Sequence, residues 1–301
     1  MVAVPTAAAS HRLGVATSSG GSLPGVWRRF RRHRLALVGL GLVTILVAVA
    51  LAAPLLSRAG VMGDPYKVAL DNRNAGTTFS HPLGTDYLGR DLLARLIYGA
   101  RISLSLGLLI QVAVVAIGGA VGLAAGYVGG WVDNLLMRLA DVTFALPDLL
   151  FVLVIVSVLG PGYWNIVIAV GLVNWAFLAR LVRGQVLAIK EEDYVAAART
   201  MGTRPVRMLG RHIIPNLLGP VIVTVTFGIP AAIFLEAFLS FLGVGLRPPV
   251  PSWGVMIREG YEAIFAYPQQ VTFTAIFISV TVLSFNFIGD GLRDALDPRS
   301  D

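Results

Sequence analysis

The 301 residues are 56% hydrophobic and only 14% charged, with a formal charge of +7 and no cysteine. Soluble domains average about 45–50% apolar and about 25% charged residues, so this composition excludes an ordinary water-soluble globule and points to a core surrounded by lipid. The absence of cysteine excludes a disulfide framework, a thiolate metal site and a cysteine nucleophile.

Residues 1–26, rich in Ala, Ser and Gly, read as a disordered cytoplasmic tail. WRRFRRHR (27–34) then leads into LALVGLGLVTILVAVALAAPLL (35–56), a charge-free run long enough to cross a bilayer at about 1.5 Å per residue. A secretory signal has an apolar region of about 7–15 residues, so this longer run, met only after residue 34, reads as a retained first span. The arginine run with its interleaved aromatics also has the density of a nucleic-acid arm. Its place against an apolar run favours anionic lipid, and no nucleic-acid partner is expected.

Five further apolar runs follow at about 102–126, 135–159, 164–182, 217–242 and 271–289. The fold class is therefore an all-α membrane protein of six transmembrane helices, with both termini on one side. Most Lys and Arg residues fall on that side: Arg12, the arginines of 28–34, Arg138, those of 180–211, Arg293 and Arg299. The positive-inside rule makes it cytoplasmic, N-in and C-in. Residues 57–101 form an external loop, and 102–301 a five-helix core with a cytoplasmic loop at about 184–216.

Within the external loop, Leu88, Leu92, Leu96 and Ile97 recur at helical spacing in GTDYLGRDLLARLIYGARIS (84–103). Asp91 and Arg95 are spaced as an i,i+4 pair, and Thr85 or Asp86 could cap the start. A surface helix lying on the bundle is expected there. In the second external loop (245–270), Pro248, Pro249, Pro251 and Pro268 forbid one continuous helix, so a folded loop or short re-entrant piece is expected.

Catalytic chemistry is sparse. There is no GxxxxGK[ST] loop for a nucleotide, no HExxH, and no clustered set of carboxylates or nucleophile and base. The charges and amides within the spans are more informative. Glu236 lies in IPAAIFLEAFLSFLG, where exposure to hydrocarbon would cost roughly 3 kcal/mol even on lenient insertion scales. It reads equally as a gate on a translocation path and as a structural hydrogen bond between helices. Asn174 and Asn286 offer the same choice, with packing favoured. Asp141 and Asp148 flank FALP at the start of the third span, and Arg180 and Arg183 close the fourth as interfacial anchors.

DYVAAARTMGTRPVRMLGRHIIPN (193–216) carries Arg199, Arg204, Arg207 and Arg211 between two apolar runs. Glu191, Glu192 and Asp193 suit a helix N-terminus, Gly202 a helix stop, and Pro205 and Pro215 the entries to the next pieces. Tyr194, Ala198 and Met201 would share a face, and Ala196, Ala197 and Ala198 leave little side-chain bulk. A solvated loop and a docking helix both fit; so short a helix is marginal in water without a partner, which favours docking.

Here the sequence resembles the membrane permease subunit of ABC importers, in the dipeptide/oligopeptide branch. That family's EAAxxxG loop with a distal proline aligns with Ala196, Ala197, Ala198, Gly202 and Pro215, Ala196 standing where the family has glutamate. HPLGTDYLGRDLLARLIYGARISLSLG (81–107), LSFLGVGLRPPVPSWG (239–254) and NFIGDGLRDALDPR (286–299) are similar to branch signatures, and the resemblance covers most of 27–299. It implies a type I ABC importer permease fold in the bacterial inner membrane. It also implies a second homologous permease, two cytoplasmic ATPase subunits holding Mg-ATP, and an external substrate-binding protein that docks on the outer loops. The cytoplasmic loop would be a coupling helix seated in an ATPase groove, with Glu192, Asp193, Tyr194, Ala196, Ala197, Ala198, Arg199, Gly202 and Pro215 at that contact. The implied function is ATP-driven import of dipeptides or oligopeptides, with no cofactor in this chain. Nickel chelates or another small solute of the same branch are the alternative cargo, and a self-sufficient channel or secondary carrier the alternative class.

Overall fold

A computed structural model of the chain describes residues 23–296. Short α1 (Leu23–Phe30) precedes α2 (Arg34–Arg58), whose first turn is capped by His33 Nδ1 accepting from the Ala36 N–H. The tail expected over 1–26 lies outside the described residues as far as residue 22, and Leu23–Val26 are already helical. After an irregular segment with one 3₁₀ turn at Leu70–Asn72, α3 (Leu92–Val114) passes through a π-helical turn (Val115–Gly119) into α4 (Ala120–Val128). α5 (Gly130–Ala145) and α6 (Asp148–Leu159) meet at 90°. α7 (Tyr163–Lys190), α8 (Asp193–Thr200) and α9 (Pro205–Met208) follow. A second π turn (Leu209–Ile213) joins α9 to α10 (Ile214–Phe241), and α11 (Trp253–Tyr261) and α12 (Gln269–Leu296) complete the chain.

Five helical stretches are long and apolar enough to span a membrane, and the bent pair α5–α6 makes a sixth if it counts as one. The third run is thus not the straight helix its hydropathy predicts. Pro147 lacks an N–H and biases Leu146 towards extended backbone (φ −97°, ψ 139°), so the helix stops at Ala145 and restarts at Asp148.

The separate surface helix expected over 84–103 does not form. From Leu92 on, its apolar repeat is the start of the second span, capped by Asp91 accepting from the Ala94 N–H rather than by Thr85 or Asp86, and Leu88 lies in a turn before it. The fourth span is longer than its apolar run, because α7 continues to Lys190, whose ammonium donates to the carbonyls of Gly126 and Tyr127.

α10 packs between α3 and α12, α2 lies along α12 and α3, and α4 lies along α7. Glycine makes that last approach close: a Cβ at Gly118 or Gly122 would run into the carbonyl oxygens of Trp175 and Ala179, and one at Gly126 into Val186. Exposed Ile45, Leu51, Leu55, Val154 and Val158 suit a lipid surround.

The starts of α2 and α10 and the end of α12 gather at one end of the bundle. Phe30 and Ala36 lie against Gly291, and Leu296 against Gly219. The opposite end carries residues 64–91 and the 245–268 loop. There α11 folds onto the bundle, with Trp253 fully buried over Gly99 and donating to the Leu96 carbonyl.

Candidate functional site: a basic surface helix and an inner cavity

α8 presents the clearest surface element. Val195 and Ala198 are buried against the bundle, while Asp193, Tyr194, Ala196, Ala197 and Arg199 face outward. The expected Tyr194–Ala198–Met201 face is therefore corrected. Val195 is the strongest apolar residue of the helix and takes the inner side with Ala198, leaving Met201 79% exposed. Gly202 ends the helix at φ +75°, a left-handed backbone that a Cβ disfavours, and the Thr203 N–H returns to the Ala198 carbonyl.

Tyr194 ties this surface to the next span: Asn216 Nδ2 donates to its hydroxyl at 3.1 Å, and its ring lies 6.0 Å from that of His212. Burial first, then the negative charge of Glu192, pushes the phenol pKa up, so the hydroxyl stays protonated at neutral pH. Pro215 follows the π turn within the continuous helical stretch Pro205–Phe241, where its missing N–H removes one backbone bond to the preceding turn. Arg199, Arg204, Arg207 and Arg211 make no ion pair among the described residues, so the segment carries a dense, uncompensated positive surface.

A cavity of about 510 Å³ opens between α3, α7, α10 and the α5–α6 elbow. Its wall is mostly apolar, with Phe144, Phe177 and Phe227 prominent, and Gln111, Asp148, Asn174, Thr224 and Arg293 supply polar groups. Of the three intramembrane residues singled out in the sequence, only Asn174 lines it, its amide donating to the Val170 carbonyl at 3.1 Å. Asn286 is half-buried on α12, away from that wall.

Glu236 is wholly buried elsewhere, inside a serine cage. Ser103 donates to Oε2 at 3.1 Å and Ser240 to Oε1 at 2.9 Å, and Ser103 Oγ in turn accepts from the Trp253 N–H at 3.4 Å. These contacts join α10, α3 and the start of α11. Arg180 and Arg183 pair with Asp141 (2.6 Å) and Asp133 (2.5 and 2.7 Å), bracing α7 against α5.

At the end opposite α8, Asp86, Arg90, Arg95 and Glu259 form a buried, charge-balanced network. Arg90 Nε donates to Asp86 Oδ2 at 2.6 Å and Arg95 to the same carboxylate, while Arg95 Nη2 meets Glu259 Oε2 at 2.6 Å. Tyr87 donates to Glu259 Oε1 at 3.2 Å, and Asp91, expected to pair with Arg95, bonds His81 at 2.8 Å. Sequence reasoning missed this network; the only local signal was three charges at 86, 90 and 95 within an apolar repeat. Among the described residues no group of three or more His, Asp or Glu is placed to hold a metal ion.

Residues 118–301, more than half of the chain, match the family described as binding-protein-dependent transport system inner membrane component. The chain belongs to that family. Residues 25–79 of this permease also match the N-terminal TM domain of oligopeptide transport permease C. It is 43% identical over 271 residues to the oligopeptide transport system permease protein OppC of Bacillus subtilis (strain 168), covering 90% of this chain and 88% of that one. It is 42% identical over 274 residues to the dipeptide transport system permease protein DppC of the same organism (91% and 84% covered). With the glutathione transport system permease protein GsiD of Pectobacterium atrosepticum it shares 40% identity over 277 residues (91% and 90% covered). Among solved structures, the crystal structure of an amino acid ABC transporter with histidines superposes with a TM-score of 0.54 at 18% identity, over 67% of this chain and 94% of that one; this likeness shows the fold. The permease is a multi-pass inner-membrane protein and a transporter subunit, not itself a catalyst, within a system that works with ATPase and binding-protein partners.

Proposed function

We propose that this permease is one of two homologous membrane subunits of an importer of dipeptides, oligopeptides or glutathione, and that α8 couples it to a cytoplasmic ATPase. The observation that carries this reading is the two-sided character of α8. Val195 and Ala198 anchor it to its own bundle, while Ala196, Ala197 and Arg199 are left outward beside three further unpaired arginines. Small outward residues let another backbone come close, and a helix fixed on its inner face transmits a push as a rigid piece. The Tyr194–Asn216 hydrogen bond carries that push to α10, which forms one wall of the cavity.

The basic ends of α2 and α12 and the α8–α9 segment share one end of the bundle, which supports the N-in, C-in orientation. ATP then belongs to two partner ATPase subunits, and the 64–91 and 245–268 loops face the external binding protein. The relatives' printed substrates support the cargo class. Ala196 leaves the interface without the glutamate of the EAA pattern, so Glu192 and Asp193 supply the nearest outward acids.

The test is Ala197→Trp in the assembled transporter. Position 197 is exposed, so membrane insertion and folding are expected to be unchanged while peptide uptake and peptide-stimulated ATP hydrolysis are lost. Normal coupled uptake in this variant would remove α8 from the ATPase contact.

A further inference from the structure

Gln111 on α3 stands apart from the other polar residues of the cavity. It is 93% buried by its 7% exposure, it lines the cavity, and its side-chain amide has no hydrogen-bond partner among the described residues. Its neighbours spend a donor within their own helices: Asn174 gives one to Val170 and Thr224 gives its hydroxyl to Pro220. Among the described residues only Arg95 Nε is an enclosed side-chain polar atom without a partner, so the Gln111 amide is open to the cavity, where an occupant can complete it.

The opposing helix makes room for it. Gly228 on α10 lies directly beneath the Gln111 amide, and a Cβ there would collide with Oε1, Cδ and Nε2 alike. Gln111 therefore lies flat against a bare stretch of backbone with its edge turned to the cavity. Phe144, Phe177 and Phe227 form the apolar surroundings, and the exposed charges of Asp148 and Arg293, neither in an ion pair, stand on the same lining.

We infer that Gln111 is a substrate-contact residue that reads the peptide bond of the cargo during passage. A primary amide presents one acceptor and two donors in a plane, and a peptide bond presents one donor and one acceptor. Oε1 accepts the cargo N–H, Nε2 donates to a cargo carbonyl, and the phenylalanine walls receive side chains of any shape. Asp148 and Arg293 offer opposite charges to the two termini. The subsite so built takes short peptides by their main chain and is indifferent to their sequence. This inference rests on the reading of the chain as a peptide-importing permease.

The experiment uses the complete transporter in proteoliposomes with its binding protein, and compares trialanine with the two analogues in which one or the other of its two amide N–H groups is replaced by an ester oxygen. Affinities of the binding protein for all the probes are measured separately, so that only the membrane step is compared. Wild type is expected to import the amide about three- to tenfold faster than one of the esters, the value of one hydrogen bond. Gln111→Met keeps the length of the side chain, removes its unpaired polar group, and is expected to import both at that ester's rate. Gly228→Ala, which displaces the amide without altering residue 111, is expected to narrow the same ratio and carries the test if Gln111→Met fails to assemble. An amide-to-ester ratio unchanged in both variants would overturn the subsite while leaving peptide import standing. Import of none of the probes by wild type would overturn the peptide-import reading, and the subsite with it.

Discussion

The two ends of this permease handle charge in opposite ways. At the outer end, Asp86, Arg90, Arg95 and Glu259 are buried and paired with one another, only Arg95 Nε lacking a partner, and they join the loop before α3 to the loop helix α11. At the inner end, Arg199, Arg204, Arg207 and Arg211 are held at the surface between α8 and the π turn before α10, and none of them forms an ion pair among the described residues. The two acids and two arginines of the outer network balance one another within one chain. The inner end leaves its arginines without an ion-pair partner among the described residues, as the proposed ATPase contact requires.

Breaking the outer network tests the comparison most severely. Glu259→Ala would leave Arg90 and Arg95 buried without one of their two carboxylates, which costs about 3–5 kcal/mol for a buried pair. Thermal unfolding of the detergent-solubilised permease should register that loss; a variant as stable as wild type would mean that the network is wetter than its burial indicates. At the inner end, Gly202→Val places a β-branched residue at φ +75° and costs about 1–3 kcal/mol locally. Because the space around Gly202 is open, the bundle should still insert while coupled ATP hydrolysis falls. Wild-type coupling would show that the end of α8 is free to re-form.

Asp133→Asn, which weakens a partly exposed bidentate pair with Arg183, is expected to cost about 1 kcal/mol and to loosen α5 against α7. The smallest effect on stability belongs to Arg207→Gln, expected within about 0.5 kcal/mol. Its measurable consequence should be weaker, less salt-sensitive association with the ATPase subunits. Equal stability loss at Arg207 and Glu259 would erase the distinction between the two ends.

Much of the architecture was legible in the sequence because a bilayer filters chains by hydropathy, and each apolar run of about 20 residues announces itself. What escaped depended on particular residues. Pro147 was visible within the third run, yet hydropathy averages over it, so the 90° elbow was read as a straight helix. Leu92, Leu96 and Ile97 of the repeat are helical, but Leu88 lies in a turn before them, and the helix merges with the next span because Asp91 rather than Asp86 caps it. Glu259 lies 164 residues beyond Arg95, so no local pattern could pair them. On α8, Tyr194 drew attention by its size, although Val195 was the better guide to the inner face. Gln111 was overlooked for a similar reason: a lone uncharged amide within a span carries no pattern, and only the cavity beside it and Gly228 beneath it single it out.

The central claim is that this chain transports only as part of an ATP-driven assembly. Reconstitution in liposomes tests it directly, with labelled di- or tripeptide uptake followed for the purified permease alone and for the full set of second permease, ATPases and external binding protein. The account predicts uptake only with the complete set and ATP, abolished when any one component is withheld. Solute movement through the purified chain alone would contradict it and would make the protein a channel or secondary carrier.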